Sequence, residues 1–144
     1  MQNRSVPTNS VIPHVYYEDV AEAMAWLSKV FGFREYYRYG PPDSPQGGQI
    51  KLGEACIQLH TIRPGTGTPN SLGASTQMVT VIVADVRAHY EGAKAAGAKV
   101  DEDLNETIYG ERQYSARDFA GHRWLFSEHI QDLDPSDWGA QVAK

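Results

Sequence analysis

A short pattern occurs twice in this chain. Val15-Tyr16-Tyr17-Glu18-Asp19-Val20 leads into a helix-like run ending at Gly32, and Val81-Ile82-Val83-Ala84-Asp85-Val86 leads into another ending at Gly97. Both copies read as strand, aspartate cap, amphipathic helix and glycine stop. A repeated unit restricts the architecture before any single residue is interpreted, because one unit buries its apolar face against the next. Two matched halves can also face each other and enclose a cavity.

The first copy opens with a β-branched and aromatic run, Val11 to Tyr17, which predicts a strand. Asp19 is placed as an N-cap, with Glu22 three residues on as in a capping box. Val20, Ala23, Met24, Leu27 and Phe31 share one helical face, and Gly32 suits the residue after the helix. Strands follow at Phe33 to Tyr39, Gln49 to Leu52 and Ala55 to Thr61, with a breaker-rich loop at 40–48 and a turn at Gly53-Glu54. Residues 63–75 contain Pro64, Gly65, Gly67, Pro69, Asn70 and Gly73 and read as a linker without regular structure. The second copy gives a strand at Met78 to Val83, a helix capped by Asp85 with Val86, Tyr90 and Ala93 inward, and strands at Val100 to Leu104, Arg112 to Arg117 and Arg123 to His129. The turn Asp118-Phe119-Ala120-Gly121 joins the last two. Each half is therefore βαβββ. The expected fold is α+β, a single domain over 1–144 with module one at about 11–62, a linker at 63–76, module two at about 77–130 and a tail at 131–144. Within the tail, Asp132 to Trp138 reads as a short capped helix anchored by Trp138.

Composition narrows the function classes. A formal charge of −5 argues against an electrostatic nucleic-acid binder, and no apolar run reaches the length of a membrane span. The start Met1-Gln2-Asn3-Arg4-Ser5 leads into no signal-peptide core, and the single Cys56 has no partner within the chain. The expectation is a cytoplasmic protein.

The doubled βαβββ pattern, with Tyr109-Gly110-Glu111-Arg112-Gln113-Tyr114 and then Asp118-x-x-Gly121-His122-x-Trp124, resembles the vicinal oxygen chelate superfamily, in particular its glyoxalase/bleomycin-resistance branch and the PhnB-like members. Phe119 stands where that family usually has proline. The resemblance implies tandem modules forming a curled, barrel-like mixed sheet with helices outside. It also implies a cavity lined by the inner faces and a homodimer with pockets at the subunit interface. Metal enzymes and metal-free binders share this fold, so the fold alone does not select between them.

Metal-dependent members of the family carry one His, Glu or Gln on the first and fourth strand of each half. Aligned on the aspartate caps and the Asp-x-x-Gly hairpin, those positions are Ile12, Gln58, Met78 and Leu125. Only Gln58 offers a hard or borderline cation an oxygen; Met78 brings a soft thioether and the other two bring nothing. The usual metal site is expected to be absent.

Strand alternation then gives an expected lining. His14 and Tyr16 share a face with Ile12. Cys56 and His60 follow Gln58, Thr80 and Ile82 follow Met78, and Arg123, Ser127 and His129 follow Leu125. Val11, Val15, Tyr17, Ile57, Leu59, Val79, Val81, Val83, Trp124 and Phe126 face the helices. The ligand-contacting set is accordingly His14, Tyr16, Cys56, Gln58, His60, Met78, Thr80, Arg123, Leu125 and Ser127. A rival arrangement draws on the same faces: His14, Gln58, His60 and His129 could hold Zn²⁺ or Fe²⁺ if their tips converge.

Other residues have structural and functional readings. Cys56 has no evident cation to lower its pKa and reads as a packed thiol rather than a nucleophile. His89, near the apolar face of the second helix, reads as structural or rim-lying. Arg112, Arg117 and Arg123 could bind a carboxylate or phosphate, or pair with surface acids such as Asp118 or Glu111. The register of Arg112 and Tyr114 stays open.

The leading expectation is a metal-independent binding protein that sequesters a partly aromatic or cationic small molecule. A lyase or dioxygenase with relocated ligands is the alternative, and a non-catalytic interaction module with a filled cleft is a third. No nucleic-acid or membrane partner is expected.

Overall fold

The computed structural model describes residues 1–5 and 11–144. Its elements run β1 (His14–Tyr17), α1 (Val20–Phe31), β2 (Arg34–Tyr39), β3 (Gly47–Leu52), β4 (Ala55–Thr61), α2 (Pro69–Leu72), β5 (Met78–Ile82), α3 (Val86–Ala95), β6 (Lys99–Glu106), β7 (Glu111–Arg117) and β8 (Arg123–His129). A final 3₁₀ turn spans Pro135–Trp138. Two four-stranded mixed sheets result, ordered β1-β4-β3-β2 and β5-β8-β7-β6, so the repeat in sequence is a repeat in topology. In each sheet the first strand of the module lies parallel to the fourth, and the other pairs are antiparallel.

The caps hold as local chemistry requires. Asp19 accepts the Glu22 amide and Asp85 the Ala88 amide, each at 3.0 Å. Each bond satisfies one of the amides that a helix start leaves without a partner. Gly32 closes α1 at φ 77°, a left-handed conformation that a side chain would strain. Alternation divides the strand faces as expected. Val15, Tyr17, Ile57, Leu59, Val81, Trp124 and Phe126 are all buried with Leu27 and Phe31 of α1 and Val86 and Ala93 of α3. Burying each large side chain of this set is worth roughly 1.5–3 kcal/mol.

The boundaries differ from expectation in several places. β1 starts at His14, and Val11, expected in the core, is 76% exposed ahead of the strand. The linker contains a one-turn helix. Thr68 accepts the Ser71 amide, and Pro69 at the first helical position needs no hydrogen bond. The tail forms a capped turn, with the Trp138 ring against Tyr109 at 5.6 Å. The seventh strand now has a register: Tyr114 is fully buried against Phe126 and Tyr90, so it is a core residue and not a lining one. Arg112 pairs with Glu106 at 2.8 Å and lies 3.8 Å from Glu128.

The two halves are joined by buried polar groups. Asp118, 5% exposed, accepts the Ala120 and His122 amides at Oδ1 and the Tyr17 hydroxyl and Trp124 indole N–H at Oδ2. The Asp-x-x-Gly hairpin is therefore a junction as well as a turn. It is not a surface partner for the arginines; Arg117 pairs with Asp101 at 2.8 Å instead. His89 spans the same junction. Its Nε2 donates to the Phe31 carbonyl at 2.7 Å and its Nδ1 accepts the Tyr114 hydroxyl at 2.6 Å.

Candidate functional site

Register across the first sheet builds the site. Side chains in register on neighbouring strands share a face, and two rungs cross the sheet on the side away from α1. One rung runs His14, Gln58, Gln49 and Tyr37 from β1 through β4 and β3 to β2. The other runs Tyr16, His60, Gly47 and Tyr39. A β-bulge between Glu35 and Tyr37 re-aims β2 at this point. Gly47 leaves room for the second rung, since a Cβ there would collide with the Tyr39 hydroxyl.

Hydrogen bonding fixes the protons of the second rung. Arg63 Nη2 and the Tyr39 hydroxyl approach His60 Nδ1 at 3.3 and 3.1 Å. An arginine only donates, so this Nδ1 carries the lone pair and neutral His60 carries its proton on Nε2. That N–H donates to His14 Nδ1 at 2.6 Å, which leaves the His14 proton on Nε2. The two rings are nearly parallel, 15° apart. Burial first, and then His14 and Arg63, hold the His60 pKa below its usual value.

The first rung is an amide network. Gln58 Oε1 accepts the Tyr37 hydroxyl and the Gln49 amide, both at 3.3 Å. Gln49 is fully buried, and its Oε1 has no hydrogen-bond partner among the described residues. Cys56 lies further along β4, buried and opposite Lys51. Burial raises its thiol pKa despite the Lys51 charge, which makes it a poor nucleophile at neutral pH.

The ten expected contact residues fall on two sheets. His14, Tyr16, Cys56, Gln58 and His60 lie on the first. Met78, Thr80, Arg123, Leu125 and Ser127 lie on the second, where Met78 is 50% exposed and Ser127 is buried. The rival metal set is divided in the same way. His14 touches His60, while His129 belongs to β8 and pairs with Glu111 at 2.9 Å. Among the described residues no three His, Cys, Asp or Glu side chains gather around a possible cation position. Gln58 and Leu125 stand in register with His14 and Thr80, two residues beyond Ile12 and Met78. A groove of about 270 Å³ runs beside β1, lined by His14, Tyr16, Leu72, Gln77 and His122 among others.

The site also takes in Gln49, Tyr37, Tyr39 and Arg63, which lie outside the ten expected contact residues. The place of Gln49 is legible in the sequence. Counting back through the Gly53-Glu54 turn pairs it with Gln58, and alternation with Ile50 sets its face. The two tyrosines depended on the bulge, which breaks simple alternation.

Comparison with known proteins agrees with this architecture. Residues 10–126 match the family model described as Glyoxalase/Bleomycin resistance protein/Dioxygenase superfamily. An uncharacterized protein from Mycobacterium bovis is 27% identical over 137 residues, covering 91% of this chain and 90% of its own length. The crystal structure of TioX from Micromonospora sp. ML1 is 30% identical with a TM-score of 0.72, covering 85% of this chain and all of that one (100%). A glyoxalase/bleomycin resistance protein/dioxygenase family enzyme from Burkholderia phytofirmans PsJN shares the fold at 18% identity and a TM-score of 0.61, over 83% of this chain and 97% of that one. With two tandem βαβββ modules and a family match spanning both halves, this chain belongs to the Glyoxalase/Bleomycin resistance protein/Dioxygenase superfamily.

Proposed function

We propose that this protein binds a small organic molecule without a metal, holding a partly aromatic or cationic guest on the helix-free face of the first sheet. The observation that carries this reading is the state of Gln58. It is the one oxygen donor among the four positions where metal-dependent relatives place ligands, and its Oε1 already accepts two protein hydrogen bonds. Ile12, Met78 and Leu125 add no hard donor, so the residues present do not fit a hard or borderline divalent cation. What they do fit is a guest with flat surfaces and polar edges. Tyr16, Tyr37 and Tyr39 offer ring faces, and His14, Gln58 and His60 offer fixed hydrogen-bonding groups. The net charge of −5 favours a cationic guest at long range.

A homodimer belongs to the proposal. The 270 Å³ groove beside β1 reaches only His14 and Tyr16 of these guest-facing residues, and it is smaller than the roughly 300–1,000 Å³ of ordinary ligand pockets. The helix-free face of the second sheet leaves Met78 and Ile82 50% and 60% exposed. A second copy laying that face over the first sheet would enlarge the site and bring Thr80, Leu125, Ser127 and Arg123 to it. No helix among the described residues is long and apolar enough to cross a membrane. The buried, unpaired Cys56 accords with a cytoplasmic setting.

The alternative, a metal-dependent lyase or dioxygenase using His14 and His60, has the geometry against it. Their facing nitrogens lie 2.6 Å apart and share a proton. Nitrogens that bind one tetrahedral cation at roughly 2.0 Å stand farther apart than that. Thermal-shift measurements with ethidium, bleomycin, Zn²⁺ and Fe²⁺, each with a chelator control, test the proposal. It expects stabilisation by an organic probe that survives the chelator; stabilisation by metal alone would refute it.

A further inference from the structure

The same face already has an occupant. Residues Arg4 and Ser5 lie against it through their main chain. The Ser5 carbonyl accepts the Gln49 amide at 2.9 Å and lies 3.4 Å from the Tyr37 hydroxyl, whose one proton is shared between this carbonyl and Gln58 Oε1; the Arg4 carbonyl accepts the Tyr36 hydroxyl at 3.0 Å. Asn3 shapes the segment, its Oδ1 accepting the Ser5 amide at 3.1 Å. The β2 bulge has a part in this, because it lets two consecutive tyrosines address one segment. The Tyr36 ring is held at the site by Lys51, whose ammonium lies 3.8 Å from the ring centroid.

The fit is incomplete. Two consecutive peptide carbonyls meet the donors of the face, but among the described residues the Gln49 Oε1 acceptor has no partner. A buried acceptor without a donor is costly, so an occupant that adds an N–H there has an advantage over the segment. Residues 1–5 are exposed and take no part in the apolar core.

We infer that the Arg4–Ser5 segment is a displaceable strap, an internal competitor that occupies the guest's seat and sets the apparent affinity of whatever else binds there. The inference rests on the proposed guest-binding role of this face. If the face is free in only a fraction of molecules, the apparent Kd is the intrinsic Kd divided by that fraction. The strap therefore acts as a threshold, admitting a guest only when its contacts exceed those of two peptide carbonyls.

Tyr36→Phe in the full chain tests this, since it removes one strap contact and leaves Gln49, Gln58, Tyr37 and His60 in place. Loss of one hydrogen bond should open the strap about 2- to 12-fold more often. The first readout is independent of any guest: water exchange of the Gln49 side-chain amide protons, followed by NMR. These protons should exchange faster in Tyr36→Phe by that factor; an unchanged rate overturns the strap. The second readout is ethidium affinity, which should tighten by the same factor. Ethidium binding on this face with equal affinity in both proteins, with Ser5 still in contact with Tyr37, overturns the competition. If ethidium and bleomycin bind neither protein, the guest-binding reading falls, and Gln49 exchange still decides whether the strap opens.

Discussion

The Tyr17 hydroxyl donates a 2.6 Å hydrogen bond to Asp118 Oδ2 across the junction of the two modules. Asp118 also accepts the Trp124 indole and two amides of its own turn, so one buried carboxylate connects β1, β8 and the last hairpin. This arrangement explains why the hairpin motif begins with an acid. A carboxylate alone among side chains accepts four such bonds without bringing a donor that needs a partner.

Removing the partners should be costly in proportion. Tyr17→Phe is expected to destabilise by about 1.5–3 kcal/mol, the range for a hydrogen bond to a charged group. Asp118→Ala should cost more, about 3–5 kcal/mol, because it orphans the Tyr17 hydroxyl and the Trp124 N–H inside the core. Urea denaturation of both variants checks the order. Equal stability of Asp118→Ala and the parent would remove Asp118 from its junction role.

Stability should also fall at mildly acidic pH. Burial lowers the His89 pKa in the folded protein, partly offset by its bond to the Phe31 carbonyl, and burial lowers that of His60 as well. An unfolded histidine titrates near ~6.5 and binds its proton first as the pH drops. The stabilisation is therefore present above about 6.5 and is lost as the pH falls through the depressed folded values. Denaturation midpoints between pH 8 and pH 5 should decline, and less steeply in His89→Gln. On the alkaline side, burial and Asp118 raise the Tyr17 pKa, and burial raises that of Tyr114. Stability should drop again as the pH climbs past about 10, where unfolded tyrosines ionise.

Dimerisation can be tested on the second sheet. Met78→Asp and Ile82→Lys place charges on side chains that are already exposed in one chain, so neither should unfold it. Sedimentation velocity should show a dimer for the parent and a monomer for the double variant. A monomeric parent would contradict the shared pocket.

The sequence carried the frame of this fold because its signals are local. An aspartate before an apolar helix face and a glycine after it act within one turn, and alternation fixes which side of β4 and β8 reaches the core. Their bounds, Ala55–Thr61 and Arg123–His129, match the expectation. What remained hidden was made by contacts distant in the chain or by broken periodicity. The His14–His60 bond joins residues 46 apart, and the Tyr36–Tyr37 pair depends on a bulge that pairing reveals and composition does not. The helix Pro69–Leu72 was obscured by residues that read as breakers, although Thr68 before Pro69 is a sound helix start.

The claim that this face holds an organic guest without metal is tested most directly by calorimetric titration of ethidium into the full chain, with and without EDTA, alongside His60→Ala. Binding should be saturable, unchanged by EDTA and at least tenfold weaker in His60→Ala, a loss of about 1.4 kcal/mol. Binding that appears only when Zn²⁺ or Fe²⁺ is supplied, and disappears with EDTA, would contradict it.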